Sequence, residues 1–348
     1  MRYKFKHEPY EHQLNALTKS WNKEEFAYFM DMGTGKSKVL IDNMCILYDR
    51  GEITGALIIA PKGVYRNWEK GELPTHIPDH VIHDIVLWNP SQTKKQIEIQ
   101  RKLFFPDDNL KIFVMNVEAL STKKGADMAE RFLVAHDALM AVDESTTIKN
   151  KDAKRTKTIV SLGKHAKFRR ILTGSPVTKS PMDLYSQCEF LDPWLLGHSS
   201  FFSFQHEYAV IQRRTMGAHS FNHIVGYRNL EKLTSLLNKF SYRVKKEDCL
   251  DLPDKVYVKR TVELTKEQRS VYDSLKTFAM ALLEEGSVST DTILTQLLRM
   301  QQVCSGHVKT DDGVLKTFDS AKLPELMSIL EETDGKVIIW ATFTHDIL

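Results

Sequence analysis

Five consecutive residues, Gly33-Thr34-Gly35-Lys36-Ser37, have the types and order that cradle the phosphates of a nucleotide. Glycines let the backbone curl until successive N–H groups point at phosphate oxygens, and a following helix N-terminus adds partial positive charge. Lys36 would reach the β- and γ-phosphates, and the Ser37 hydroxyl would hold magnesium. The full pattern GxxxxGK[ST] has Gly where this chain has Met30, so a structural glycine turn stays open as an alternative. A second pair of chemical groups, Asp143 and Glu144, ends the apolar run ALMAV. There Asp143 can meet the magnesium held by Ser37, and Glu144 can orient or deprotonate a water facing the γ-phosphate. Thr173-Gly174-Ser175-Pro176 closes another apolar run, and Gln13 precedes the phosphate loop by about the distance at which a base would lie.

Positioning these groups is the work of a repeated strand and helix pattern. FAYFM at 26–30 leads into the loop, and Val39, Leu40, Met44 and Leu47 mark the helix that follows. Short apolar runs recur at 56–60, 111–115, 138–142 and 169–172, each entering a polar turn. Such runs are the mark of strands buried on both faces of a parallel sheet. The expectation is an α/β first domain, residues 1–195, with its active groups at the carboxyl ends of the strands. Beyond 195 the alternation stops: 212–229 reads as irregular and polar, and 230–240 as amphipathic. Residues 241–264 are basic, with a β-rich alternation after the break at Pro253, and Thr265-Lys266-Glu267-Gln268 has the form of a capping box. The helix it opens carries Val271, Leu275, Phe278 and Leu282, and 292–303 forms another. Region 196–314 is therefore expected to be mainly helical, and 315–348, with KVIIWA at 336–341, to open a second α/β domain. Since a lone opening of that kind cannot bury both faces, the chain is expected to be a fragment or to be completed by a partner.

Composition bounds the function loosely. The 348 residues hold 48 Lys+Arg against 45 Asp+Glu, so any nucleic-acid surface must come from local clustering. The four cysteines, Cys45, Cys188, Cys249 and Cys304, form no CxxC pair, which argues against a zinc module and a disulfide framework. No signal-like or membrane-length apolar stretch is present, and the reading is a soluble, cytoplasmic protein.

Taken in order, the motifs resemble those of the Swi/Snf-type ATPases, duplex-DNA motors of helicase superfamily two with DEAD/DEAH-like boxes. DMGTGKS is similar to the family's DEMGLGKT, LIIAPKGVYRNWEKGELP to LIVAPxSLxxxWxxE, and VDESTTIKN to DEAH-x-IKN. ILTGSPVTKSPMDLYSQCEFLDP resembles LTGTPxxNxxxELxxLxxFLxP. Further on, FSYRVKKEDCLDLPDK is similar to LRRxKxDVxxxLPxK, VELTKEQRSVYDSL to LTxxQxxxYxxL, and LLRMQQVCSGH to LLxLRQICNHP. The resemblance covers nearly the whole chain and implies a RecA-like first lobe, helical protrusions and the start of a second lobe. The compact layout and DEST in place of DEAH suit a bacterial or phage member, whose setting would be the host cytoplasm.

What the resemblance implies is an ATP hydrolase that translocates on double-stranded DNA through sequence-independent backbone contacts, with ATP and magnesium as its small-molecule needs. Gln13 would read adenine, Gly33 to Ser37 would hold the phosphates, and Thr173, Gly174 and Ser175 would couple nucleotide state to DNA grip. Lys62, Arg66, Lys149 and Lys151 are the candidate DNA contacts, a solvated side chain being the alternative for each. Three departures stand out: Ser145 and Thr146 replace Ala-His, Lys179 replaces the usual Asn, and no arginine finger can be assigned. The first implies coupling through hydroxyls rather than an imidazole. In related phosphoryl-transfer enzymes such an arginine is worth on the order of a thousandfold or more. A strand-separating helicase and an ATP- and DNA-binding module of little turnover are the competing readings.

Overall fold

The computed structural model describes residues 3–91, 93–216, 219–251, 253–284 and 290–347. Leu252 and the side chain of Leu282, both used in the sequence reading, lie outside the described residues. The chain forms two compact units, Met1–Leu252 and Pro253–Leu348.

In the first unit, six strands run in chain order: β1 (Glu25–Met30), β2 (Gly55–Ala60), β3 (His83–Leu87), β4 (Leu110–Asn116), β5 (Ala138–Asp143) and β6 (Phe168–Leu172). Later come β7 (Ala209–Met216), β8 (His219–Tyr227) and β9 (Ser241–Val244). Seven of them make one sheet in the order β3-β4-β2-β5-β6-β1-β9, every neighbouring pair parallel. Alternate residues feed opposite faces. Ala56, Ile58 and Ala60 pack with Ile112, Val114, Leu139 and Ala141, whereas Leu57 and Ile59 pack with Phe113, Met115, Met140 and Val142. Helices α1 (Glu11–Ser20) and α2 (Lys36–Asp49) cover the first face through Leu17, Val39, Leu40 and Met44. Helices α3 (Lys123–Ala135), α4 (Lys154–Gly163) and α5 (Leu184–Leu191) cover the second through Phe132, Ile159 and Phe190. Double coverage is what lets the inner strands be apolar at every position.

Two strands of this sheet escape the sequence reading, and both are at its edges. An edge strand is buried on fewer sides, so HDIVL in β3 and SYRV in β9 keep polar residues that hide the apolar run. Because β9 pairs with β1, the boundary expected at 195 falls inside the first compact unit. The segment expected to be irregular instead forms the antiparallel hairpin β7-β8, between α6 (Phe201–Tyr208) and α7 (Leu230–Leu237). Its residues are exposed on most sides, so its sequence shows no buried face to read. A short helix, α8 (Lys246–Cys249), follows β9.

The second unit has two long helices, α9 (Lys266–Glu284) and α10 (Thr290–Cys304), a small hairpin of β10 (His307–Lys309) and β11 (Leu315–Thr317), and α11 (Lys322–Glu331). The capping box forms: the Thr265 Oγ1 accepts from Gln268 N and Gln268 Oε1 accepts from Thr265 N, both at 3.2 Å. The stretches read as β-rich, 255–264 and KVIIWA, are not strands. Among the described residues none pairs with them, and an extended segment becomes a strand only when a neighbour takes up its N–H and C=O groups. The four cysteines are free, and no helix of the described residues is long and apolar enough to cross a membrane.

Candidate active site

Chain geometry at the end of β1 explains the two glycines. Gly33 and Gly35 sit at φ +84° and +81°, the left-handed region that side chains disfavour. A side chain at Gly35 would also displace the Gln13 amide, since an added Cβ would fall 2.2 Å from Gln13 Nε2. The turn itself is tied by Thr34 Oγ1, which donates to the Asp31 carbonyl at 2.7 Å. From outside, α1 braces it, with His12 Nε2 and Gln13 Nε2 at 2.8 Å and 3.1 Å from the Thr34 carbonyl. His12 has no part in the sequence reading, since a histidine on a helix carries no motif of its own. Helix α2 starts at Lys36, so Lys36 and Ser37 stand at its N-terminus, where the helix dipole favours an anion.

Because all seven strands are parallel, the ends of β1, β5 and β6 lie on one edge. There Lys36 Nζ meets Glu144 Oε1 at 3.2 Å. Asp143 is buried beside it. Its Oδ2 accepts from Trp68 Nε1 at 3.0 Å and its Oδ1 from Glu144 N at 3.0 Å. Burial pushes the Asp143 carboxyl up to about 6, against the opposing pull of the Trp68 hydrogen bond. Glu144 itself sits at φ +47°, a left-handed conformation that is costly for a residue other than Gly or Asn. Strain of this kind is kept where the surroundings fix a side chain for use.

The TGS turn after β6 closes the group. Thr173 Oγ1 donates to Glu144 Oε2 at 3.4 Å and accepts from Ser175 N at 3.2 Å. A Cβ on Gly174 would stand 3.2 Å from Asp31 Cα and 3.3 Å from Met32 N, so a side chain there would press the two loops apart by a few tenths of an ångström. A second link runs deeper, from Ser145 Oγ to Gln187 Oε1 at 2.6 Å and from Gln187 Nε2 to the Pro176 carbonyl at 2.8 Å. The first link uses the Thr173 hydroxyl and the second that of Ser145. Gln187 was not singled out in the sequence.

Trp68, from the LIIAPKGVYRNWEKGELP motif, is buried on a π-helical turn, Trp68–Glu72. Its hydrogen bond to Asp143 is the part that sequence reading missed. Lys246 was also missed. Pairing of Met30 with Val244 sets the end of β9 beside the loop, Asp31 Oδ2 accepts from Lys246 N at 3.0 Å, and Lys246 Nζ lies 3.6 Å from where a Gly33 Cβ would be. The four basic candidates follow β2 and β5 on the same edge, Arg66 in the short helix Tyr65–Asn67. Lys62 and Arg66 are exposed, Arg66 donating to its neighbour Tyr65. Lys149 donates to Thr178 Oγ1, and Lys151 pairs with Asp152 at 2.8 Å while lying over the Phe201 ring.

Ser37 and Asp143 supply a hydroxyl and a carboxylate. No cluster of three or more His, Cys, Asp or Glu gathers among the described residues. That donor set suits magnesium, which commonly takes one or two protein oxygens and completes its shell with phosphate and water.

Residues 14–308 match the SNF2-related domain family. The chromatin-remodeling ATPase INO80 of Aspergillus niger is 25% identical over 329 residues, covering 90% of this chain and 18% of that protein. The putative ATP-dependent helicase/translocase YwqA of Bacillus subtilis is 26% identical over 313 residues, covering 86% of this chain and 31% of that one. The chain thus spans less than a third of the length of these relatives. In fold it is similar to the Sulfolobus solfataricus SWI2/SNF2 ATPase core domain, at a TM-score of 0.53 and 25% identity over 95% of this chain and 64% of that one. The same core in complex with dsDNA gives a TM-score of 0.55 at 23% identity, covering 95% of this chain and 66% of that one. With the family match spanning most of its length, the chain belongs to the SNF2-related domain family.

Proposed function

We propose that this chain is a DNA-dependent ATPase of the duplex-translocating kind. The observation that carries the reading is the convergence of Lys36, Asp143, Glu144 and Thr173 on one sheet edge beside a glycine-formed anion cradle. Relatives named as chromatin-remodeling ATPases and as an ATP-dependent helicase/translocase support it, as does a similarly folded core solved with dsDNA.

ATP phosphates occupy the loop from Gly33 to Ser37. Lys36 then exchanges Glu144 for a phosphate oxygen, which frees the Glu144 carboxylate to take a proton from the attacking water. Magnesium held by Ser37 and Asp143 would offset charge on the β- and γ-phosphates. Lys246, poised over Gly33, adds a second cation from the lobe itself. Gln13 spends one N–H on Thr34 and one lone pair on the Tyr10 N–H. A primary amide has two of each, so one donor and one acceptor remain for adenine. Thr173, Gly174 and Ser175 pass the change at Glu144 toward Lys149 and Lys151, which with Lys62 and Arg66 hold DNA phosphates. In this reading residues 1–195, joined by β9, are the first motor lobe, the rest of 196–314 the protrusion region and 315–348 the opening of a second lobe.

The test is ATP hydrolysis with and without duplex DNA, beside Glu144→Gln. Stimulation by duplex and a loss of roughly a hundredfold or more in the variant are expected. Turnover indifferent to both would overturn the proposal, and ATP binding through Lys36 without turnover would leave a binding module in its place.

A further inference from the structure

The β7-β8 hairpin belongs to none of the motifs above, and its charge is one-sided. In a chain with 45 Asp+Glu against 48 Lys+Arg, the 23 residues from 208 to 230 contain no acid. They contain Arg213, Arg214 and Arg228. Arg228 has structural work, donating to the carbonyls of Glu207 and His206 where β8 returns to the body. Arg213 and Arg214 are exposed and enter no ion pair or hydrogen bond found among the described residues.

Register places these two arginines on opposite faces of the ribbon. Arg213 stands opposite Asn222 and Arg214 opposite Phe221, and successive side chains alternate. The base is fixed: Ala209 is buried, and Ile224 packs on the core from the face that carries Arg213. Farther out, Gln212, Phe221 and His223 are exposed together with Arg214. A two-stranded ribbon with no sheet behind it is marginal in water and shows two unpaired edges. Its anchored base and arginine-bearing tip are what a partner-binding projection needs. The hairpin also shares a rim with a candidate DNA contact. Lys151 lies over the ring of Phe201, the first residue of α6, and β7 begins where α6 ends.

We infer that this hairpin is a second DNA contact, a ribbon that lies along a groove of the duplex and takes phosphates on either side with Arg213 and Arg214. A ribbon of this width fits the major groove, and the recognition is of backbone charge, without sequence. The inference rests on the DNA-dependent reading above and assigns it a surface outside the motor motifs.

Duplex affinity of the chain, measured by anisotropy over a salt series, tests it. Replacing both residues, Arg213→Gln with Arg214→Gln, removes two phosphate contacts, so the slope of log affinity against log salt should fall by roughly two. The lysine pair, Arg213→Lys with Arg214→Lys, should restore most of the slope, because a phosphate reads charge. Binding of a fluorescent ATP analogue and the melting temperature should be the same in all three chains. An unchanged slope in the glutamine variant, with wild type binding duplex, overturns the inference and leaves the ribbon edge to a protein partner. Loss of self-association in the glutamine variant, with duplex binding kept, overturns it in favour of a second copy of this chain. If wild type binds no duplex even at low salt while still binding the ATP analogue, the DNA reading itself fails and takes this inference with it.

Discussion

Two five-residue stretches, Ala56-Leu57-Ile58-Ile59-Ala60 and Val337-Ile338-Ile339-Trp340-Ala341, are both apolar throughout and have opposite fates. The first is the central strand of the sheet with every side chain at 0% exposure. In the second, Ile338 is 77% and Trp340 90% exposed, and no strand forms. What separates them is a ladder: β2 has β4 on one side and β5 on the other, and 337–341 has no paired neighbour among the described residues. An apolar run therefore specifies a willingness to be a strand, and the rest of the fold supplies the strand. The 256–258 stretch, with Tyr257 87% exposed, teaches the same.

The sharpest way to break this comparison is to truncate one residue of each stretch. Leu57→Ala opens a cavity between the sheet and its helices, and should cost about 2–5 kcal/mol in denaturant titration. Ile339→Ala should stay within about 0.5 kcal/mol, as a surface change does. A comparable cost at both sites would mean that 337–341 is packed in solution, and the contrast would fall.

A smaller effect asks whether the frame that buries β2 extends into the site. Trp68→Phe keeps most of the apolar bulk and removes the N–H that Asp143 accepts. The loss should cost about 1–3 kcal/mol of stability. By misplacing a magnesium-directed carboxylate, it should also weaken magnesium-dependent turnover by about tenfold to a hundredfold. The Asp143 carboxyl should titrate higher than in wild type, since that hydrogen bond holds it down. Stability falling with turnover unaffected would make Trp68 a packing residue only.

Legibility in the sequence follows the same line. The glycine loop, Asp143, Glu144 and the TGS turn could be read because chemistry demands those types at those spacings, and the inner strands because burial on both faces leaves an unbroken apolar run. The edge strands β3 and β9 could not, being half solvated. Nor could the partners that reach the site from far away in sequence: Trp68 to Asp143, Gln187 to Ser145, and Lys246 to the loop. Each depends on register between strands, which a linear pattern does not encode. The β7-β8 hairpin is hidden for a related reason, since a ribbon exposed on most sides has no inner face to leave a period.

The second unit can be sharpened in the same range. Its order near α9 rests on polar bonds: buried Gln268 donates to the Val303 carbonyl at 2.7 Å and accepts from Thr265 N and Ala321 N. Gln268→Leu would leave those three groups unmatched, at about 1–3 kcal/mol. Hydrogen exchange should speed up in α9 and α10 with no change in β2. Spread of the effect into β2 would show that the two units unfold together.

A small expected change in stability accompanies the largest expected effect on function, and it lies where the frame is strained. Glu144 holds φ +47°, which costs an ordinary residue about 1–2 kcal/mol and glycine almost nothing. Glu144→Gly removes that cost, and also removes the partners of Lys36 and Thr173 and adds freedom to the unfolded chain. The opposing terms should leave stability within about 1 kcal/mol of wild type, on either side. Turnover should vanish, because no carboxylate remains to take the water proton. A large loss of stability would instead mean that the Lys36 pair and the Thr173 bond outweigh the strain, and that Glu144 is held in place for the fold as much as for the chemistry.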